Sequence, residues 1–164
     1  MFQVGAQTSN FYISSANQIA AGVIPIGAGM TEINLIGGYT VVAGTWTVIA
    51  QPASITNART TNTTAATGDE ITISVNCAAG TYTVDLIYYG DGINGIMKIG
   101  TAANLWTSFD MYHAPSTWNL TAQQTGVTIT ESGLTTMRLY SDTKNGASSA
   151  YAMYPLKLTF TKTA

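Results

Sequence analysis

Few side chains in this sequence could exchange protons or bind a metal ion. His113 is the only histidine and Cys77 the only cysteine, so one chain can form neither a histidine-rich metal site nor an internal disulfide. No serine lies in a G-x-S-x-G nucleophile motif. We interpret Cys77 as a small buried side chain. We interpret His113, which precedes Ala114 and Pro115, as a loop residue that could sense pH or contact a ligand.

Paired carboxylates are the remaining route to acid–base catalysis. Asp69 and Glu70 are adjacent, so on an extended chain their side chains point to opposite sides. Asp85 falls on the solvent-facing side of a predicted strand, and Asp110 could hydrogen-bond a neighbouring loop. Because no pair has a spacing that marks a glycosidase, we predict no catalytic residues and expect that the chain is not an enzyme.

A short aromatic region could bind a sugar. Lectin-like sites place an aromatic ring against the apolar face of a sugar and use Asp, Asn or Arg to bind its hydroxyl groups. The candidate ligand-binding residues are Trp106, Asp110, Tyr112, His113, Trp118 and Asn119. In the alternative interpretation Trp106 and Tyr112 belong to the core, and Trp118 covers a sheet edge.

The segment "GDGING", residues 90–95, is a second candidate site. Asp91, the Asn94 side chain and backbone carbonyl groups offer oxygen ligands of the kind that Ca²⁺ prefers, but the alternating acids and terminal Glu of an EF-hand loop are missing. We therefore favour a tight turn in which the glycines take positive φ and Asp91 or Asn94 caps the turn. We predict no bound metal and no cofactor.

These candidate residues would be positioned by β-strands. Apolar and polar residues alternate in "EITISVNC" (70–77) and in "TYTVDLIYY" (81–89). Further strands are predicted at residues 39–50 (broken at Ala43–Gly44), 95–100, 105–112, 126–132, 135–142 and 154–162. About eight short strands with Gly- and Asn-rich turns, and no convincing helix among them, predict an all-β fold, an antiparallel β-sandwich of jelly-roll type.

Residues 1–35 differ from the rest of the chain. They are rich in Gly, Ala, Ser and Asn and lack sustained alternation, although a weak helix is possible around residues 14–21. We interpret them as an N-terminal extended arm for assembly or attachment, and residues 36–164 as the jelly-roll sandwich. The apolar stretch 19–30 is shorter than the roughly 20 residues of a spanning helix, and no Lys or Arg precedes it as in a secretory signal. We expect no membrane insertion.

Composition limits the possible partners. The 164 residues are 46% hydrophobic, which is enough for a core in a single domain, but only 9% charged. The net charge is −2, and the six Lys and Arg residues are scattered singly. Binding to a phosphate backbone needs several cations on one face, so we predict that nucleic acid is not a partner.

The region from about residue 44 to residue 162 contains "GDEI" followed by "AGTYT", then "NGIMKIG", "SFDMY" and "KNGASSAY". In these motifs the region resembles a jelly-roll module that recurs in virion proteins of tailed bacteriophages. The resemblance implies a homo-oligomeric, often trimeric, structural or adhesion module of a tail, baseplate, fibre or capsid surface. Such modules sometimes bind host glycans, and no catalytic set carries over to this sequence.

The sequence therefore favours a non-enzymatic structural protein of a bacteriophage virion, made in the host cytoplasm. Its expected partners are itself, as a homotrimer assembled through the arm, other virion proteins and a host-surface glycan. The alternative is a carbohydrate-binding, lectin-like module, for which the aromatic region would supply the binding surface. A depolymerising enzyme is the weakest of the three hypotheses.

Overall fold

The computed structural model describes residues 23–50, 58–62 and 66–164, with side chains for residues 23–48 and 66–164. The predicted helix at 14–21 lies outside the described residues. Twelve strands are present in the described part: β1 (Ile24–Ile26), β2 (Met30–Asn34), β3 (Thr40–Ala43), β4 (Trp46–Ala50), β5 (Ala58–Asn62), β6 (Asp69–Cys77), β7 (Gly80–Gly90), β8 (Gly95–Gly100), β9 (Leu105–Asp110), β10 (Thr117–Ile129), β11 (Gly133–Lys144) and β12 (Pro155–Lys162).

Two sheets form the sandwich. The six-stranded sheet has the order β1-β6-β11-β8-β9, with β3 paired to β6 as well, and the four-stranded sheet has the order β10-β7-β12-β2. All pairs within the two sheets are antiparallel except β1 with β6, and β4 and β5 form a separate hairpin ladder. The prediction of an all-β sandwich of jelly-roll type is confirmed. No helix long and apolar enough to cross a membrane occurs in the described ranges.

The alternating residues of the predicted strands form the core. Tyr82, Val84 and Leu86 of β7 are fully buried and pack between the sheets, because side chains two apart share one face of a strand. Asp85 points the other way and accepts a hydrogen bond from Gln123 Nε2 at 2.8 Å. The opposite sheet contributes the apolar side chains Ile71, Ile73, Val75, Met97, Ile99, Phe109, Met137 and Leu139.

Residues 24–35 belong to the sandwich rather than to an arm. Ile24 and Ile26 of β1 are buried and pair with Val75 and Cys77 of β6. Ile33 and Leu35 are fully buried, and β2 pairs with β12. The predicted boundary at residue 35 therefore differs from the observed one, because these apolar residues fill the space between the sheets. Residues 1–22 lie outside the described residues.

The strands end at two opposite ends of the sandwich. The site end comprises the connections 90–95, 110–117 and 144–155, and the Glu131 end comprises the connections 77–80, 100–105 and 129–133. Each strand from β6 to β12 joins one end to the other. The position of a candidate residue along its strand therefore decides at which end it lies.

Candidate functional site

Three connections meet at the site end, and Asp91 joins two of them. The Asp91 backbone carbonyl accepts hydrogen bonds from the backbone N–H groups of Asn94 and His113, at 3.1 and 3.3 Å. Its carboxylate Oδ1 accepts the Gly92 N–H at 2.6 Å and the Ser116 hydroxyl at 3.1 Å. Asp91 thus caps the turn after β7 and links it to the connection after β9.

Asn94 holds the same turn from inside. Its side chain is fully buried, and Nδ2 donates to the carbonyl groups of Tyr89 and Met111 at 2.6 and 3.1 Å. Among the described residues its Oδ1 has no hydrogen-bond partner. No group of three or more His, Cys, Asp or Glu side chains that could hold a metal is found in the described part of the chain. The hydrogen bonds of Asp91 and Asn94 hold the corner together.

The glycines of this turn do not take positive φ, contrary to the prediction. Gly90, Gly92 and Gly95 are absent from the seven glycines that do. Two of them are needed for space instead, because a Cβ at Gly90 would lie 2.5 Å from His113 Cβ, and one at Gly95 would lie 2.8 Å from Ser141 Oγ. The missing side chain permits the close approach of neighbouring segments.

Asp110 ties a third connection to the site end. Its Oδ1 accepts the Tyr112 backbone N–H at 3.0 Å, and its Oδ2 accepts the side-chain amide of Asn145 at 2.6 Å. Asn145 lies in the connection between β11 and β12, so the link joins two different loops. Asp110 remains exposed to solvent, and a ligand can therefore reach its carboxylate.

His113 and Tyr112 line the connection after β9 and are half-buried. The His113 Nδ1 lies 2.7 Å from the Pro115 carbonyl oxygen. A carbonyl only accepts, so Nδ1 carries the hydrogen and Nε2 is the acceptor of the neutral ring. Tyr112 forms an isolated bridge with Asp91 and is not part of the core, unlike in the alternative interpretation.

Trp118 lies on a bulge at the start of β10. One extra residue of β10 falls between the pairs Thr117–Gly90 and Leu120–Tyr88. Asn119 takes a φ of 56°, a positive value that Asn adopts more readily than most other residues with a side chain. The Trp118 ring packs against Tyr89, with centroids 4.6 Å apart, yet Trp118 is only half-buried and Asn119 is exposed. The bulge therefore presents both side chains beside the Asp91 corner.

Trp106 lies at the other end of the molecule. It is 7% exposed, packs edge-on against Phe160 with centroids 6.3 Å apart, and donates from Nε1 to Glu131 Oε2 at 2.8 Å. Its assignment to a ligand site is therefore corrected: the ring is part of the core, as the alternative interpretation held. The Trp106 side chain points from β9 into the interior, where burial removes its large apolar surface from water.

Glu131 organises the opposite end. Its Oε1 accepts hydrogen bonds from the Thr101 hydroxyl at 2.9 Å and the Asn104 amide at 2.8 Å, while its Oε2 accepts the bond from Trp106. Burial tends to raise the pKa of Glu131, but the hydrogen bonds from Asn104, Thr101 and Trp106 outweigh it and lower the pKa. Burial, followed by the charge of Glu131, raises the pKa of the Cys77 thiol to about 11, so this cysteine is a poor nucleophile.

Sequence reasoning did not include four residues of the site end: Tyr89, Ser116, Asn145 and Tyr154. Tyr89 follows Asp85 and Ile87 on the outer face of β7, so the period-2 pattern that buries Tyr88 also predicts an outward Tyr89. Ser116 and Asn145 lie in turns, where sequence carries no signal for which loops meet. Tyr154 packs against Tyr89, with centroids 5.7 Å apart.

Comparison with solved structures finds proteins of the same fold. The CBM36-1 domain of a multidomain xylanase from the hindgut metagenome of Trinervitermes trinervoides is 14% identical, with a TM-score of 0.57 over 82% of this chain and 98% of that domain. A family 6 carbohydrate-binding module is 14% identical, with a TM-score of 0.56 over 84% and 97%. A Paenibacillus xanthan lyase is 20% identical, with a TM-score of 0.58 over 76% of this chain, which spans only 12% of the lyase.

The likeness to these proteins shows the fold alone, because all three are distant in sequence. No protein-family model matches the chain. A comparison with curated proteins finds no match. The fold is thus that of carbohydrate-binding modules, and any activity has to be argued from the side chains of the site end.

Proposed function

We propose that this chain binds an uncharged glycan at the site end of the sandwich, with Trp118 as the surface against which a sugar ring packs. The observation that carries the proposal is the half-buried Trp118, held against Tyr89 at 4.6 Å beside the Asp91–Ser116 hydrogen bond. Trp106 is buried in the core, whereas Trp118 keeps part of its ring in contact with solvent beside groups that can bind sugar hydroxyls. The carbohydrate-binding modules with the same fold support this proposal.

The chemistry of the site end suits a sugar. One face of a pyranose ring is a set of C–H groups, which pack on an aromatic ring, while the hydroxyl groups around it both donate and accept hydrogen bonds. Asp91 and Asp110 supply carboxylate acceptors, His113 Nε2 supplies a neutral acceptor, and the Asn119 amide supplies a donor and an acceptor. An aromatic surface with a few convergent polar groups is the usual composition of a small-ligand site.

Charge favours a neutral glycan over an acidic one. The Asp91 carboxylate accepts the hydroxyl of Ser116, two residues before Trp118, and Asp110 lies at the start of the same connection. Lys144, which precedes Asn145, has its Nζ 5.3 Å from the centroid of the Tyr151 ring. The exposed carboxylate of Asp110 and the half-buried one of Asp91 attract hydroxyl donors and repel uronic acids or sulfated sugars. We therefore expect binding to xylans, mannans or glucans rather than to acidic polysaccharides.

The test is the loss of binding in Trp118→Ala. A glycan array and affinity electrophoresis in gels that contain neutral or acidic polysaccharides identify a ligand for the unaltered protein. Trp118→Ala should then abolish retention by that ligand, because it removes the ring against which the sugar packs. Trp46→Ala is the matched control, since Trp46 is also half-buried and packs on a tyrosine, Tyr39, with ring centroids 6.5 Å apart. Trp46 follows β3, which lies at the edge of the six-stranded sheet opposite to the edge formed by β9.

Two results would contradict the proposal. The first is equal retention of Trp118→Ala and the unaltered protein on the same polysaccharide. The second is an equal loss of retention in Trp46→Ala, provided that both variants melt cooperatively, since binding would then depend on another part of the surface. Binding of only acidic polysaccharides would overturn the assignment of a neutral ligand.

The assignment to a phage virion stays a prediction, as do the homotrimer, the virion partners and the absence of enzymatic activity. Light scattering of the purified chain measures the oligomeric state. A stable trimer would agree with this prediction, and a monomer at high micromolar concentration would count against it.

A further inference from the structure

We propose that Asn145 is a site of spontaneous deamidation and that this modification breaks the link between two loops of the site end. The modification itself follows from the geometry of Asn145 and Gly146. Its effect on ligand binding rests on the glycan-binding function proposed above. Water is the only co-reactant, and no enzyme is required.

The chain contains two Asn-Gly pairs in which this chemistry can be compared, Asn94–Gly95 and Asn145–Gly146. Deamidation begins when the backbone nitrogen that follows an asparagine attacks the side-chain amide carbon. Glycine favours the attack, because it has no side chain to obstruct the ring closure and its backbone is conformationally permissive. The attack also requires that this backbone N–H is not committed to a hydrogen bond and that the asparagine can move.

Asn94 fails both requirements. Its side chain is fully buried, and Nδ2 is held by the carbonyl groups of Tyr89 and Met111. The Gly95 N–H donates to the Ala152 carbonyl at 2.8 Å. Gly95 begins β8 and is closely packed, since an added Cβ would lie 2.8 Å from Ser141 Oγ. Rotation of this peptide into the geometry of attack would disrupt the core.

Asn145 meets both requirements, since the bond from its amide to Asp110 lies at the exposed surface and can open without disturbing the core. It is only half-buried, and Gly146 is exposed, with open space around its Cα. The hydrogen bonds of this turn come from the N–H groups of Ala147 and Ser148, and the Gly146 N–H donates none in the described structure. Ala147 N–H donates to Asn145 Oδ1 at 2.9 Å, which stabilises the negative charge that develops on this oxygen during the attack.

The reaction balances with water alone. A bond forms between the Gly146 nitrogen and the Asn145 Cγ, the Cγ–Nδ2 bond breaks, and ammonia leaves with the proton that Gly146 loses. Water then adds to one of the two carbonyl carbons of the five-membered imide. Cleavage at Cγ gives aspartate, and cleavage at the backbone carbonyl gives isoaspartate, in which the main chain runs through the former side chain.

Either product breaks the tie to Asp110. The Asn145 amide donates to Asp110 Oδ2 at 2.6 Å, and after deamidation a second carboxylate replaces this donor. Two like charges at hydrogen-bond distance repel each other, so the connection after β11 separates from the connection after β9. The site end then loses one of the links that hold its shape, while the core is unchanged.

The modification is tested by ageing the purified protein at neutral pH and mapping its peptides by mass spectrometry. We expect the mass increase for replacement of an amide by an acid to accumulate at Asn145 and not at Asn94, which serves as the internal control. Gly146→Ala should slow the accumulation strongly and fold normally, because its Cβ enters open space and its φ is not positive. Equal rates at both asparagines, or no change at Asn145, would overturn the proposal.

The consequence is tested separately with Asn145→Asp. Asn76→Asp is the matched control, because it adds the same charge at an exposed position of β6. We expect Asn145→Asp to melt at a lower temperature than Asn76→Asp and to lose affinity for the glycan identified above. Equal melting temperatures would refute the role of the link. If no glycan is bound by any form, the proposed function fails while the peptide maps and melting temperatures still decide the modification.

Discussion

The two ends of the sandwich use carboxylates in opposite ways. At the Glu131 end one carboxylate accepts side-chain hydrogen bonds from Thr101, Asn104 and the buried Trp106. At the site end Asp91 and Asp110 accept bonds mainly from turn residues. The aromatic partner there, Trp118, stays half-buried. The polar and aromatic groups of the Glu131 end bind one another, whereas the site end keeps hydrogen-bond acceptors and an aromatic surface in contact with solvent.

This difference shows how one fold can place the groups that stabilise it and the groups that could bind a ligand at opposite ends. Polar groups that are satisfied by each other rigidify a region but leave little for a ligand. Carboxylates with free lone pairs contribute less to stability and remain available for binding. Changes at the Glu131 end should therefore alter the free energy of unfolding, and changes at the site end should alter binding.

The largest expected effect separates the two tryptophans. Trp106→Ala should reduce the free energy of unfolding by about 3–5 kcal/mol, because it empties a buried aromatic site and leaves Glu131 without one of its donors. Trp118→Ala should cost only about 1–2 kcal/mol, since the ring is half-buried. Chemical denaturation measures both values. A larger loss for Trp118→Ala would break the distinction between a structural end and a binding end.

A pair of glycine substitutions tests how the site end is packed. Gly90→Ala should cost about 1–3 kcal/mol through overpacking, because its Cβ would meet His113 and Leu120 at 2.5 Å. Gly92→Ala in the same turn meets nothing within 4 Å and should change stability by less than about 0.5 kcal/mol. Thermal melting compares the two variants directly. Similar losses in both would show that turn conformation matters more than close packing.

The smallest expected effect sharpens the role of Glu131. Glu131→Gln should cost about 1–2 kcal/mol at neutral pH, because a neutral amide oxygen is a weaker acceptor and an amide NH₂ cannot accept at all. The pKa of Glu131 is lowered in the folded protein, so its contribution is complete above the ordinary pKa of 4.5 and is lost as the pH falls through the lowered value. The difference in unfolding free energy between the two proteins should shrink on acidification.

That pH dependence is measured by denaturant titration at neutral pH and at a pH below the ordinary pKa of Glu. A difference that stays constant on acidification would mean that the charge of Glu131 is not what the hydrogen bonds stabilise. Asp85→Asn is the control on the outer face of β7, because the amide oxygen of Asn can keep the bond that Asp85 accepts from Gln123. This substitution should change stability by less than about 0.5 kcal/mol at either pH.

The core strands were predictable because their alternation is strong. β8 has the bounds that its sequence predicts, β6 and β12 differ by one residue, and β7 differs by one residue at each end. β10 begins at Thr117, nine residues before the predicted start at residue 126, because residues 117–125 of this strand are mostly polar and its register shifts twice. Trp118 and Asn119 therefore proved to be strand residues at a bulge, which no local pattern signals.

The site end was only partly predictable, for a physical reason. Asp110, Tyr112 and His113 are neighbours in sequence, and their proximity follows from chain connectivity. The contacts of Asp91 with Ser116 and of Asp110 with Asn145 join residues 25 and 35 positions apart, and such contacts depend on which loops the topology brings together. The assignment of Trp106 to the ligand site was wrong, because the type of a residue and its closeness in sequence to other candidates do not reveal at which end of the sandwich it lies.

The divided edge of β6 has a consequence for behaviour at high concentration. Its first half pairs with β3, which runs antiparallel to it, and its last three residues pair with β1, which runs parallel. The outer margin therefore consists of two short segments of opposite direction, and a strand from another molecule could extend only one of them. Long unbroken edges are the templates on which sheets of separate molecules join, so this edge of the six-stranded sheet should be a poor template for another copy of the chain.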